Sequence, residues 1–202
     1  MAVLKIKYTK TERAKQKKIL KVSLRMLPLF EAMEKSLMGT INGIAESIER
    51  IKENIEKNKK EAAPWIAIFS DSWVDITSYI SVNEVITKPV DVAGVRVLQF
   101  EKVDFEVAPI TDESPLWVDS AIELMKDQLQ LLAEINCLLL QIELLEDELL
   151  EVRARIKLFE NRRIPMAKTA IRKIGQKLQD DERLMIATAK VVKTKQIEEV
   201  SR

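Results

Sequence analysis

The most regular feature of the chain is a heptad repeat of apolar residues in its second half. Its a and d positions hold, in chain order, Leu131, Ile135, Leu138, Ile142, Leu145, Leu149, Val152, Ile156 and Phe159. A seam with this period is typical of a helix that pairs with a second helix along its length. This part of the chain is therefore predicted to be one strand of a coiled coil.

The start of this helix is predicted at Ser114 and Pro115, because serine caps free backbone N–H groups and proline suits the first helical position. Pro165 interrupts the heptad repeat. The apolar stripe is restored beyond it by Ile171, Ile174 and Leu178. The helix is therefore expected to run almost to the last residue.

The first half of the chain carries a matching apolar stripe. Residues 9–62 are nearly free of helix breakers, and isoleucines recur at steps of three and four residues, at Ile41, Ile44, Ile48, Ile51 and Ile55. Further back the large apolar residues follow steps of four, four and three, which predicts a seam of eleven-residue period through Val22, Met26, Phe30, Met33 and Leu37. Pro28 lies inside this seam and is predicted to kink the helix.

The segment between the two helices has a different composition. Over residues 64–114 the charge runs stop and aromatic and β-branched residues concentrate, which predicts a short helix over 65–79 and two strands around a turn at 89–94. The predicted fold is mainly α: a long antiparallel two-helix coiled-coil hairpin with a small α+β cap between the helices. We expect one elongated domain, with an N-terminal long helix at 1–62, the middle region at 63–114 and a C-terminal long helix at 115–202.

Enzymatic chemistry is not indicated by the sequence. The chain has no histidine and no glycine-rich phosphate-binding loop. Its single cysteine, Cys137, lies in an apolar helical stretch without activating charges, which favours a packing role. No catalytic, cofactor-binding or metal-binding residue is predicted. No run of roughly 18 uncharged residues indicates a membrane-spanning helix, so a cytoplasmic location is expected.

The net charge of +1 conceals two basic ends and an acidic middle. Residues 1–30 carry nine Lys and Arg against one acidic residue, residues 151–202 carry fourteen against seven, and residues 31–150 carry ten against twenty-four. A hairpin would bring the two basic ends together at one pole, where they would face an acidic partner. This predicted basic pole consists of Lys17, Lys18, Lys21, Arg25, Arg162, Arg163, Lys168, Arg172 and Lys173.

Nucleic acid is the alternative partner for the basic pole, because the same side chains could contact phosphates. The protein would then be a free-standing coiled-coil scaffold that binds nucleic acid. Aromatic residues for base stacking are absent from the basic pole, which favours a protein partner instead.

A second candidate surface is a set of leucines outside the heptad positions. This leucine strip consists of Leu129, Leu132, Leu139, Leu140, Leu144 and Leu150. A two-stranded coil cannot bury all of them, and an exposed apolar strip marks a binding surface. The other possibility is that the middle region folds over the strip and covers it.

The segment Val-Arg-Ala-Arg-Ile-Lys-Leu-Phe-Glu-Asn-Arg-Arg-Ile-Pro, at residues 152–165, resembles the signature of the D subunit of the V/A-type ATPases. The apolar stripe at 171–178, the acidic residues at 180–182 and the lysines at 190–195 continue the resemblance in the same order. The opening at 8–10, the Ala-Gly-Val turn at 93–95 and the helix start at 116–119 are also similar. The resemblance therefore spans nearly the whole chain.

This resemblance implies a non-catalytic rotor subunit in the central stalk of an ATP-driven or ATP-synthesising ion pump. Its termini would lie inside the hexamer of catalytic and regulatory subunits A and B, and the basic pole would face that hexamer. Its middle region would reach toward the membrane ring, where the small F subunit of the stalk and the funnel-shaped C/d subunit join it. The leucine strip is accordingly the expected interface with the F subunit. No cofactor and no nucleic acid are expected, and contact with the membrane would be only indirect.

Overall fold

The computed structural model describes residues 7–70, 79–108 and 117–200, with only the backbone given for 64–70 and 198–200. Helix α1 spans Lys10–Ser70, strands β1 and β2 span Ile80–Val92 and Val95–Val107, and helix α2 spans Val118–Leu158. A π-helical turn at Phe159–Arg163 joins α2 to helix α3, which spans Ile164–Val200. The mainly α class with a small β element is therefore confirmed.

Helix α1 is longer than the sequence predicted. It begins after Thr9, whose hydroxyl accepts a hydrogen bond of 3.2 Å from the backbone N–H of Glu12, as in an N-cap. It then continues through Pro28 and Pro64 to Ser70. The first six residues of the predicted short helix at 65–79 thus belong to α1, and residues 71–78 lie outside the described part of the chain. The predicted cap at 114–115 also lies outside it, and α2 is described from Val118.

Over residues 13–62 the buried and half-buried positions of α1 follow one heptad period, which corrects the predicted seam at Val22, while Met26, Phe30, Met33 and Leu37 are buried or half-buried as predicted. Val22 is 51% exposed, whereas its neighbour Ser23 is 2% exposed. Small and polar residues complete the heptad, so that an unbroken series of buried or half-buried positions runs through 13, 16, 20, 23, 27, 30, 34, 37, 41, 44, 48, 51, 55, 58 and 62. Val22 was predicted in the seam because the prediction followed the largest apolar side chains, while a close helix pair also accepts serine and alanine in its seam.

The chain divides into two compact units. The first contains Met1–Ala32 and Val152–Arg202, and the second contains Met33–Glu151. In the second unit, Ile48, Ile51 and Ile55 form a buried cluster with Ile135. The predicted pairing of this isoleucine seam with the second helix is therefore confirmed. Ile44, Leu131, Leu138 and Ile142 pack around the cluster.

The first unit also pairs two antiparallel helical segments. Near the end of its α1 segment, the ring of Phe30 meets the ring of Phe159 edge to face, with centroids 5.4 Å apart. At the beginning of α1, the guanidinium of Arg13 lies against Gly175, where an added Cβ would be 3.4 Å from Nη2. The start of α1 and the segment from Phe159 to Gly175 are therefore antiparallel.

The π-helical turn explains how the second helix passes Pro165. The backbone N–H of Ile164 bonds to the carbonyl of Phe159, which is five residues back instead of four. The turn holds one extra residue, so the buried series 149, 152, 156, 159 resumes at 164, 167, 171, 174 and 178. The stripe predicted at Ile171, Ile174 and Leu178 is thus shifted by one residue from the upstream heptad.

The two strands form an antiparallel hairpin. Ala93 and Gly94, with φ of 52° and 86°, form its two-residue turn. Positive φ at both turn residues is the type I′ geometry that matches the twist of the strands. The hairpin is fixed to α2 at its base, where Ile80 packs in one cluster with Val118 and Ile122. Towards its tip, Gln141 Nε2 donates a hydrogen bond of 2.7 Å to the carbonyl of Leu98.

Candidate interaction surfaces

Five of the six residues of the leucine strip are exposed on α2. Their exposed fractions are 48% for Leu132, 50% for Leu139, 58% for Leu140, 45% for Leu144 and 63% for Leu150. The neighbouring heptad residues are buried, with Leu145 at 0% and Leu149 at 8%. Because 3.6 residues make one turn, Leu132 and Leu139 lie on one side of α2, with Leu140 beside them. The helix thus has one face in the seam and another free.

Leu129 differs from the rest of the leucine strip. It packs against the buried cluster of Ile80, Val118 and Ile122 at the base of the hairpin. The alternative that the middle region covers the strip therefore holds for this one residue. The hydrogen bond from Gln141 to Leu98 holds the upper part of the hairpin on α2, and the other five residues of the leucine strip are exposed.

A groove of about 660 Å³ adjoins the leucine strip in the second unit. Its α1 side is formed by residues that include Ala45, Ile48 and Glu49, and its α2 side by Leu139 and Ile142. The groove has an apolar floor with charged residues along its rim, which suits a side chain or helix of a protein partner. Sequence reasoning found Leu139 but missed the α1 wall, because only the pairing of the helices brings Ala45 near it.

The leucine-rich part of α2 also makes one stretch within Val118–Ile197 long and apolar enough to cross a membrane by length and composition. The mean hydropathy of that window is 1.3, and 17% of the window is buried. The stretch contains Glu134 and Glu143, and its Ile135 and Leu138 pack against isoleucines of α1. Pairing with α1 accounts for part of these apolar residues, and the rest are the exposed leucines of the strip.

All nine residues of the basic pole lie in the first unit and are exposed. Four of them lie on α1 between the levels of Arg13 and Phe30. The other five lie on the facing segment between the partners of those two residues, Gly175 and Phe159. The pairing therefore brings the two halves of the basic pole to the same part of the helix pair.

Arg163 is the one residue of the basic pole held by an aromatic ring in the described structure. Its guanidinium carbon lies 5.0 Å from the centroid of the Phe159 ring, which is within the range of a cation–π contact. Glu182, on α3, lines a groove of about 340 Å³ with Lys17 and with Arg13. The Nε of Arg13 is buried and has no hydrogen-bond partner. Sequence reasoning missed Arg13 because only the pairing with Gly175 makes it part of this surface.

Burial and ion pairs within single helices shift the pKa values of three described groups. Burial, with a smaller contribution from Glu134, raises the pKa of the Cys137 thiol, which fits the predicted packing role. The hydrogen bond to Asp181 raises the pKa of Lys177, and the bond from Lys59 lowers the pKa of Glu56. Each of these pairs lies within one helix and joins exposed side chains. Within the ranges described, no group of three or more His, Cys, Asp or Glu could hold a metal ion.

Paired helices with a free apolar face and a free basic face are typical of a subunit that binds other proteins in a larger assembly. The family model of the ATP synthase D subunit matches residues 12–194. The chain is also 33% identical to the D subunit of the V-type ATP synthase of Borreliella burgdorferi (strain B31), over 191 residues that cover 94% of each chain. The chain therefore belongs to the D-subunit family of ATP synthases, which confirms the resemblance found at residues 152–165.

Proposed function

We propose that this protein is the central-stalk rotor subunit of a V/A-type ATPase or ATP synthase. It transmits torque between ATP hydrolysis or synthesis in the catalytic hexamer and ion translocation at the membrane ring. It has no catalytic site of its own. The observation that carries the proposal is the pair of antiparallel helices, with a continuous heptad seam on α1, in a chain that belongs to the D-subunit family.

A shaft must resist twisting, and the heptad seam supplies that resistance. Side chains such as Leu37, Leu145 and Ile174 are 0% exposed, so rotating one helix against the other would break close packing. A coiled coil also places the apolar residues inside and leaves the outer surface free for other subunits. These properties suit a rotor whose partners change position around it.

The basic pole is the surface that we assign to the hexamer of subunits A and B. Its cations are exposed, and a solvated pair of opposite charges contributes only about 0.2–1 kcal/mol. Contacts of that strength can form and break repeatedly as the shaft turns past successive subunits. The number of cations on one pole supplies the total attraction that keeps the shaft in place.

The five exposed residues of the leucine strip are the surface that we assign to the F subunit. They are apolar, they lie beside a groove, and the hairpin leaves them uncovered. The funnel-shaped C/d subunit would then contact the region near the hairpin, and the membrane would be reached only through these partners. The complex as a whole is associated with the membrane, while this chain stays on its cytoplasmic side.

Affinity purification from solubilised cell membranes tests the proposed function. A tagged copy of the full chain should recover the A, B and F subunits together with ATPase activity. The matched control is a tagged variant in which Arg162, Arg163, Lys168 and Arg172 of the basic pole are all changed to Glu. Recovery of nucleic acid that salt removes, without any ATPase subunit, would replace the proposal with the nucleic-acid scaffold.

A further inference from the structure

In the first unit, the backbone hydrogen-bond pattern is interrupted in α1 and in the facing helical segment at the same level along the helix pair. On α1, Pro28 has no N–H, so the carbonyl of Leu24 loses its helical donor. On the facing segment, the π-helical turn begins at Phe159 and is followed by Pro165. The contact between Phe30 and Phe159 joins these two places directly. Two independent interruptions of the hydrogen-bond ladder therefore lie side by side.

The π-helical turn is set by side-chain packing, and Pro165 is not its only cause. Without the extra residue, the upstream heptad would continue into the seam with Arg163, Met166 and Lys173. The observed register instead buries Ile164 at 8%, Ala167 at 2% and Ile174 at 0% exposure. Because burying unpaired cations costs far more than burying aliphatic groups, the packing requires one extra residue at this point.

The same packing holds the turn in place. If the turn moved toward α2, Phe159 would leave the seam, where it is 8% exposed. If the turn moved toward α3, Ile164 would leave the seam. The backbone at Phe159–Arg163 thus departs from the α-helical hydrogen-bond pattern, while the packing fixes the register on either side.

We propose that the level formed by Pro28, Phe30 and the π-helical turn is a compliant joint, where the paired helices bend and twist under load while their seam register stays fixed. The functional part of this inference rests on the proposed rotor function. Such a joint would store part of the twist between one power stroke and the next ion step. The basic pole, which includes Arg162 and Arg163 of the turn itself, would deliver the load directly to it.

Hydrogen exchange on the full isolated chain tests the joint without any partner. Amides in residues 159–164 should exchange at least about tenfold faster than amides one turn away on either side. Deletion of Asn161 combined with Pro165→Ala removes the extra residue and the proline. Ile164, Ala167 and Ile174 then fall on the unbroken upstream heptad, so exchange in this region should slow to the level of its neighbours without a fall in melting temperature.

Deletion of Thr169 is the matched control. It also removes one exposed residue, but it shifts Ile174 and the residues beyond it out of the seam while the π-helical turn stays. The melting temperature of this variant should fall by about 10 °C or more. If deletion of Asn161 with Pro165→Ala destabilised the chain equally, the register argument would be wrong. If the amides of residues 159–164 in the unmodified chain exchanged as slowly as those of the neighbouring turns, the proposed joint would be wrong.

Copurification and ATP turnover of the assembled complex distinguish a failure of the joint from a failure of the proposed rotor function. The Asn161 deletion with Pro165→Ala should still copurify with the ATPase subunits, and its ATP turnover should fall at least about twofold only when the membrane ring is coupled. Unchanged coupled turnover would overturn the mechanical role of the joint. Failure of the unmodified chain to copurify would reject the rotor function, and the exchange result on the isolated chain would be unaffected.

Discussion

At the scale of single residues, adjacent leucines of α2 have opposite environments. Leu145 is 0% exposed in the seam, and Leu144 is 45% exposed. Their side chains have the same volume and the same helical propensity, so only burial distinguishes them. This pair allows the contribution of the seam to be measured with a nearly perfect internal control.

Leu145→Ala should lower the free energy of unfolding by about 2–5 kcal/mol, because it leaves a cavity in the seam. Leu144→Ala should lower it by less than about 1 kcal/mol, since its side chain already meets solvent. Chemical denaturation followed by circular dichroism measures both values. Equal effects of the two substitutions would contradict the seam assigned to α2.

Cys137 is the second residue with a distinctive environment. Burial raises the pKa of its thiol, so the reactive thiolate is scarcer in the folded protein than in the unfolded chain. At pH 8 its alkylation by iodoacetamide should be at least about tenfold slower in the native protein than in denaturant. Because the unfolded thiol ionises first, this group should reduce stability only as the pH rises above the ordinary thiol pKa. Equal alkylation rates in the two states would show that the thiol is accessible.

At the scale of elements, the hairpin and α2 act together. The hairpin covers the beginning of α2 through the cluster of Ile80, Val118 and Ile122. It is held further along by the bond between Gln141 and Leu98. The hairpin therefore sets where the exposed part of the leucine strip begins, which a helix considered alone does not determine.

Leu140→Glu together with Leu144→Glu should abolish copurification of the F subunit and leave the helical circular dichroism signal unchanged. Both side chains are exposed, so the isolated chain loses little packing, while an apolar interface would have to bury two charges. The control variant carries Leu124→Glu and Leu158→Glu, at exposed positions of the same helix outside the leucine strip. The control should retain the F subunit. If the variant with Leu140→Glu and Leu144→Glu still copurified with the F subunit, the leucine strip would not be part of the interface.

At the scale of the whole molecule, charge is distributed so that residues 17–25 and 162–173, from opposite halves of the chain, contribute to one part of the first helix pair. Each residue of the basic pole is exposed and contributes little alone, so Arg163→Glu should change ATP turnover of the complex only slightly. Reversal of Arg162, Arg163, Lys168 and Arg172 together should weaken assembly with the hexamer and make it more sensitive to salt. Copurification at several salt concentrations measures this effect.

The control for the quadruple reversal changes four exposed lysines elsewhere to glutamate, which gives the same change in net charge. Suitable positions are Lys57, Lys60, Lys88 and Lys102. Assembly with the A and B subunits should survive this control. Normal assembly and normal turnover in the basic-pole variant would show that the basic pole is only a solvated surface.

The sequence alone determined the features that depend on local pattern. The heptad from Leu131 to Phe159 predicted the buried face of α2, since residues three and four apart share one side of a helix. The concentration of aromatic and β-branched residues predicted two strands around a turn at 89–94, and the structure narrows that turn to Ala93 and Gly94 because residues 89–92 belong to β1. The segment at 152–165 indicated the family, and the match over residues 12–194 agrees with it.

Only the tertiary structure decided which side chains occupy the seam where large apolar residues are scarce. Ser23 is buried and Val22 is not, because the heptad contacts over residues 13–62 together fix the phase of α1, rather than the nearest apolar residue. The one-residue shift at Phe159–Arg163 has the same cause, since the partner helix selects Ile164 over Arg163. Contacts between residues far apart in the chain likewise decided that Leu129 packs against the base of the hairpin while the other five leucines of the strip are exposed.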